Sequence, residues 1–284
     1  MHRVLPDLSI RQLEYLVAVN ESPNWASAAE RVGVSPSALS QGLSELERRI
    51  GVPLFDRDGR RRVFRPAAGE VLAHARQVVA LTADLASWAD RSRTGASGQL
   101  RVGMIDAAAV GHYPGVIAGF RERHPTVEFR LQVAPSGLLL DELESGRLDL
   151  VLCVEPDAPR RGIRTKRIMG EELAIITRGE SVPRDPSRWG PWVLFAEGSH
   201  TRSVIEHALV SLGAPLNVVT ESNQPEVLRA MVALGEGWTV LPMVQAGEGL
   251  RVGRIIAERN LVLARRDGAA VDPVAEMFAD AVLA

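Results

Sequence analysis

The sequence predicts an α/β protein with a helical module at its N-terminus. Three observations carry the prediction. The residues up to 66 read as short helices with capping residues at their starts. Helical character then runs over 67–93 without a strong break. From Gly98 onward, short apolar strands alternate with helices, the pattern of repeated βα units.

Composition sets the outer bounds. A chain of 284 residues suggests about two domains. With 46% hydrophobic and 24% charged residues it has the globular balance and ample material for a core. The formal charge of -2 means that any nucleic-acid binding rests on a local basic patch. The single cysteine, Cys153, excludes an intramolecular disulfide and a multi-cysteine metal site. No apolar stretch approaches the ~20 residues of a membrane span, and residues 1–10 hold no apolar signal-peptide core. The expectation is a soluble, cytoplasmic protein with no membrane partner and no cofactor.

In the first module, Ser9 and Gln12 form a Ser-x-x-Gln capping box, and Ile10, Leu13, Leu16 and Val17 share a helical face. Asn24 is a good N-cap for a helix over 25–32, and Gly33 suits the left-handed residue that closes it. Ser35 caps a third helix over 36–50, with Pro36 at its first position. Ala38, Leu39, Leu43, Leu46 and Ile50 give it an apolar stripe, while its other face carries Ser37, Ser40, Gln41 and Ser44. Two helices joined by a short glycine turn make a helix-turn-helix candidate, the second being the reading helix. A small bundle with a polar face fits equally well at this point. Val52-Pro53-Leu54-Phe55 leads toward a β-wing, followed by Arg57, Arg60, Arg61, Arg62 and Arg65. Guanidinium groups beside a reading helix suit phosphate contacts.

A helix over 67–93 extends roughly 40 Å. Its apolar residues, among them Val71, Leu72, Val78, Leu85 and Trp88, need a partner, and a second copy is the natural one. Residues 93–98 read as a hinge. Beyond it, strands are expected at 100–105, 127–133, 148–154, 173–177, 192–195, 217–220, 238–241 and 261–264. The helices between them are expected at 114–123, 136–145, 202–212 and 225–234, with a closing helix at 273–284. Ligands of such sheets sit at strand ends near helix starts.

At this point the residues resemble LysR-type transcriptional regulators. Ile10-Arg11-Gln12-Leu13, Ala28-Ala29, Val34-Ser35, Leu46-Glu47, Leu54-Phe55-Asp56-Arg57 and Ala68-Gly69 stand in that family's order. So do Gly98 to Gly103, Phe120 to Pro125, Leu143 to Leu150 and Gly235 to Pro242. The resemblance implies a winged helix-turn-helix over 1–66, a dimerising linker helix and hinge over 67–97, and an effector domain over 98–284. That last domain is implied to be two-lobed and periplasmic-binding-protein-like, with one lobe from 98–170 and 263–284 and the other from 171–262. The implied partners are a double-stranded DNA operator and a small-molecule effector, with a homodimer through the linker helix and a homotetramer built from it. Pro36-Ser37, Gly42, Arg65 and Pro66 depart from residues frequent in the family. Gly42 removes a side chain that would read a base, and costs about 1 kcal/mol of helix stability relative to Ala.

The expected DNA contacts are Ser35, Ser37, Ser40, Gln41 and Ser44 from the reading helix and Arg57, Arg60, Arg61 and Arg62 from the wing. Ser35 also has a plain capping role, and Trp25 reads as packing. The expected effector contacts are Asp106, Ala107, Ser136, Ser199, His200, Thr201, Asn223 and Pro242, set by strand ends and helix starts. Helix N-termini there favour an anion. Asp106 opposes a purely anionic ligand, unless it serves only as a helix cap, as each serine does on the plainer reading. Cys153 reads as an inert buried thiol. No catalytic triad, nucleophile elbow or metal motif occurs, so an enzyme is not expected. The rival reading is a solute-binding protein or α/β enzyme carrying an accessory helical module.

Overall fold

Local chemistry at each helix end sets the N-terminal module. The Ser9 amide donates to Gln12 Oε1 at 3.3 Å, opening α1 (Ile10–Glu21). Asn24 Oδ1 accepts from the Ser27 amide at 2.9 Å, opening α2 (Trp25–Arg31). Gly33, at φ +68°, closes α2 in the left-handed conformation that only glycine adopts cheaply. Ser35 Oγ accepts from the Ala38 amide at 3.2 Å at the start of α3 (Pro36–Ile50). The computed structural model describes residues 7–58, 61–94, 98–269 and 272–284. Arg60 and residues 95–97 of the hinge expected at 93–98 lie outside the described residues, as do the side chains of Arg57, Arg61 and Arg62.

Leu16, Leu39, Leu43, Leu46 and Leu54 are fully buried in the core of this module. Each contributes about 1.5–3 kcal/mol by leaving water. The wing is an antiparallel hairpin of β1 (Phe55–Asp58) and β2 (Arg61–Phe64). Glu47 of α3 fixes its entry, because Oε1 accepts from the amides of Leu54 at 2.7 Å and Phe55 at 3.2 Å. Trp25 packs edge-on against Phe55 at 5.1 Å, a packing role. The first turns of α4 (Ala68–Thr94) bury Ala68, Leu72 and Ala75 in the same core. Farther along α4, Val78, Leu85 and Trp88 are exposed.

The chain divides into two units, Met1–Arg93 with Glu144–Arg147, and Thr94–Leu143 with Leu148–Ala284. In the second unit, β3 (Gln99–Met104), β4 (Glu128–Val133) and β5 (Leu150–Val154) are parallel in the order β4-β3-β5. α5 (Pro114–Arg123) and α6 (Ser136–Glu144) make the crossovers. The chain steps from β3 to β4 on one side and from β4 across to β5 on the other, so the switch point where ligands lodge lies at the strand ends between β3 and β5. A π-helical turn (Ala107–His112) follows β3 directly.

The sequence pattern implied parallel βα units throughout, and here the structure differs. β6 (Ile163–Thr177) and β10 (Arg251–Arg266) are long and pair antiparallel along most of their length. β10 also pairs antiparallel with β5, and β6 with β9 (Thr239–Pro242). Only the apolar parts of β6 and β10, 173–177 and 261–264, carry a strand signal; their charged parts read as solvated loop. A second core gathers Leu173–Ile176 with β7 (Trp192–Leu194), α7 (His200–Leu212) and α8 (Pro225–Leu234). β7 pairs parallel with β8 (Val218–Glu221). The first core is built around β3, β5 and the closing helix α9 (Pro273–Leu283), with Phe120 and Phe278 edge-to-face at 5.1 Å. The β6–β10 pair runs through both cores and joins them.

Candidate functional site

Two regions carry the polar groups of interest, one in each unit. On α3, Ser37, Gln41 and Ser44 are exposed and Ser40 is half-buried. The i, i+3, i+4, i+7 spacing puts them on one face. Ser35 Oγ caps the helix and lies 2.9 Å from Ser37 Oγ. In the wing, the backbone register sets Arg57 opposite Arg62 and Asp58 opposite Arg61.

A groove of about 610 Å³ runs between α1 and α3, lined by Arg11, Gln12, Gln41, Ser44 and Arg48 among others. Arg11 and Arg48 escaped the sequence reading. The sign that could have found them is their place on helices flanking the reading face. Arg11 Nε donates to the Tyr15 hydroxyl at 3.1 Å. Hydrogen bonds from Arg48, then from Arg49, hold the Glu45 carboxyl down at about 2.

Gly42 has a different role from the one expected of it. It is not a vacated base-reading position, because a Cβ there would lie 2.8 Å from the Tyr15 ring. The residue faces α1, and its lack of a side chain lets the two helices meet.

The second region is a cleft of about 460 Å³ at the strand ends of the second unit. Asp106, Ala107, Ser136, Ser199, Thr201 and Asn223 line it, together with Phe195, Glu226, Gln245 and Arg259. His200 and Pro242 do not. His200 stands next along α7 from Ser199, about 100° round the helix. Pro242 is spent in the sheet, opposite Leu173 of β6.

The capping roles weighed for these residues do not hold. Asp106 makes no side-chain cap bond; its Oδ1 accepts from Gln245 Nε2 at 2.6 Å. Ser136 is the first residue of α6, and its Oγ accepts from the Val154 amide at 3.2 Å, tying α6 to β5. Ser199 makes no side-chain cap bond either.

Arg259 and Gln245 were missed. Arg259 lies opposite Glu171 in the β6–β10 register, and both are buried. Arg259 Nε donates to Glu171 Oε2 at 2.7 Å, and Nη1 donates to Thr201 Oγ1 at 2.5 Å. His112 Nε2 lies 2.7 Å from the other Glu171 oxygen. Burial lowers the Arg259 pKa while Glu171 opposes that shift; the guanidinium stays cationic. Arg202 fixes the opposite wall, donating to the Phe195 carbonyl at 2.7 Å and to Glu206 at 2.6 Å.

Among the described residues, no group of three or more His, Cys, Asp or Glu is placed to hold a metal ion. Nor is any helix among them long and apolar enough to cross a membrane.

Comparison with known proteins agrees with this two-part layout. The family described as "Bacterial regulatory helix-turn-helix protein, lysR family" matches residues 10–70, and "LysR substrate binding domain" matches residues 93–284. The chain is 30% identical over 290 residues to an HTH-type transcriptional regulator, YfeR, of Shigella flexneri, covering 96% of this chain and 93% of that one. It is 31% identical over 281 residues to a probable hydrogen peroxide-inducible genes activator of Streptomyces viridosporus, covering 92% and 89%. A full-length OxyR variant from Pseudomonas aeruginosa shares the fold at a TM-score of 0.69, with 22% identity and coverage of 99% and 95%. Full-length CbnR complexed with its target DNA shares it at 0.61, with 20% identity and coverage of 97% and 99%.

Proposed function

The chain belongs to the LysR family of transcriptional regulators, and from that premise we propose that α3 and the wing read its operator while the cleft at Asp106 and Arg259 senses the effector. One observation carries the reading most strongly. A face of short polar side chains on α3 and a cleft ringed by helix starts occur in one chain, each on its own folded unit. A solute-binding protein or an enzyme has no use for the first.

On DNA, Gln41 suits an adenine edge, with Ser37, Ser40 and Ser44 reaching bases or phosphates. Arg11 and Arg48 flank that face from the groove. Arg57, Arg60, Arg61 and Arg62 in the wing are the phosphate anchors. The exposed Val78, Leu85 and Trp88 of α4 are the pairing surface of a homodimer, and a tetramer is built from two such dimers. The peroxide response in the Streptomyces relative's name does not transfer through thiol chemistry. The one cysteine here, Cys153, is buried, and burial pushes its pKa up to about 12.

The test is fluorescence anisotropy of the protein on DNA from immediately upstream of its own gene, against a shuffled duplex, over a range of salt. The expected result is preferential binding to the native duplex with a steep salt slope. Gln41→Ala is expected to cost about 1–3 kcal/mol and relax specificity at its base pair. Arg62→Ala is expected to lower affinity on both duplexes alike. Equal binding of both duplexes by the unaltered protein contradicts the reading.

A further inference from the structure

The cleft is not uniformly suited to an anion, and its two kinds of unmet polar group name the ligand class. On one side stand acceptors. Gln245 is buried, and its Nε2 is committed to the Asp106 carboxylate at 2.6 Å. That bond orients the amide, and Gln245 Oε1 is left buried with no partner. Glu226 adds a second carboxylate to the lining, with Arg229 as a loose partner at 3.5 Å. A buried acceptor without a donor is unfavourable, so this corner is built to receive donors from a ligand.

On the other side stand donors. Arg259 Nη2 lies 2.6 Å from Glu171 Oε2, yet it is not aligned to donate and has no hydrogen-bond partner. Glu171 Oε2 is already taken by Arg259 Nε. The Thr201 hydroxyl accepts from Arg259, and the Ser136 hydroxyl accepts from Val154, which leaves each its own proton to give. The amide ends of α6 and α7 add to the same positive field.

Resting on the reading of this cleft as the effector site, we infer that its ligand is a free α-amino acid or a close zwitterionic relative. The ammonium group would sit at Asp106 and Gln245 Oε1, and the carboxylate at Arg259, Thr201 and Ser136. A plain carboxylate leaves the acceptor corner unmet and faces two like charges. A plain amine leaves Arg259 Nη2 and the hydroxyls unmet. The cleft volume lies within the usual small-molecule range.

Isothermal titration of the full chain tests this with the proteinogenic L-amino acids, their N-acetyl and carboxamide derivatives, and a set of dicarboxylates and alkylamines. At least one amino acid is expected to bind, and either derivatisation is expected to weaken it by roughly 30-fold or more. Asp106→Asn is expected to weaken the amino acid about tenfold while shifting its N-acetyl derivative by less than about threefold. The derivative series on unaltered protein stands even if a variant folds poorly. Binding of an N-acetyl derivative as tightly as its parent overturns the zwitterion. So does tight binding of a dicarboxylate that Thr201→Val abolishes and Asp106→Asn does not, although the cleft then remains the effector site. Silence from every probe overturns the zwitterion but not the cleft reading, which extends to ligand classes outside this series.

Discussion

Gly42 and Arg259 show how differently two single residues can be read. Gly42 is an evident oddity in the sequence, a glycine inside a helix, yet its purpose becomes visible only where the Tyr15 ring covers it. Gly42→Ala should gain about 1 kcal/mol in helix propensity and lose about 1–3 kcal/mol by overpacking against Tyr15. The expected net is a loss of about 1 kcal/mol, read as a lower urea midpoint with an unchanged slope. A higher midpoint would mean that the Tyr15 ring moves aside freely. Arg259 gives no such sign. Flanked by Glu258 and Asn260, it reads as solvated. Its burial depends on meeting Glu171 across a strand pair 88 residues apart in sequence. The residues brought to the cleft from helix starts, Asp106, Ser136, Ser199 and Asn223, could be named beforehand, because the turn from strand to helix is a local signal. Gln245, in a short turn after β9, is placed by tertiary structure alone.

Among elements, the legible ones have their stop and start chemistry within a few residues. α3 is the clearest, with Ser35 before it, Pro36 at its first turn and Gly51 in the left-handed conformation after it. β6 and β10 are the least legible. Their charged parts lack alternation, and their extension comes from pairing with each other. α4 poses a different problem. Its first turns are buried within the N-terminal unit, while Leu85 and Trp88 stay 58% and 48% exposed, apolar surface that a partner helix would cover. The dimer reading predicts that Leu85→Glu disrupts pairing. Sedimentation equilibrium should show a shift from a concentration-independent oligomer toward monomer, and operator affinity should fall with it. Unchanged association would place the oligomer contact elsewhere.

At the scale of the whole molecule, regulation is a statement about linkage. A ligand in the cleft changes DNA binding only if the DNA-bound and free arrangements differ in their affinity for it. The converse must then hold with the same factor, so operator DNA changes ligand affinity equally. Typical coupling of 1–3 kcal/mol corresponds to about 5–150-fold. The direction of the effect, tighter or weaker DNA binding, is set by which arrangement the ligand prefers. The β6–β10 pair runs through both cores of the second unit and carries Glu171 and Arg259.

The measurement that bears most directly on this account is operator affinity, by anisotropy at fixed salt, over a titration to saturation with an amino acid that binds the cleft. It should be made for the unaltered chain and for Asp106→Asn. The account predicts a change of about 5-fold or more at saturation in the unaltered chain, with the half-point of the change moved to about tenfold higher ligand in the variant. An operator affinity that stays the same under saturating ligand, or that responds over the same ligand concentrations in both proteins, would contradict it.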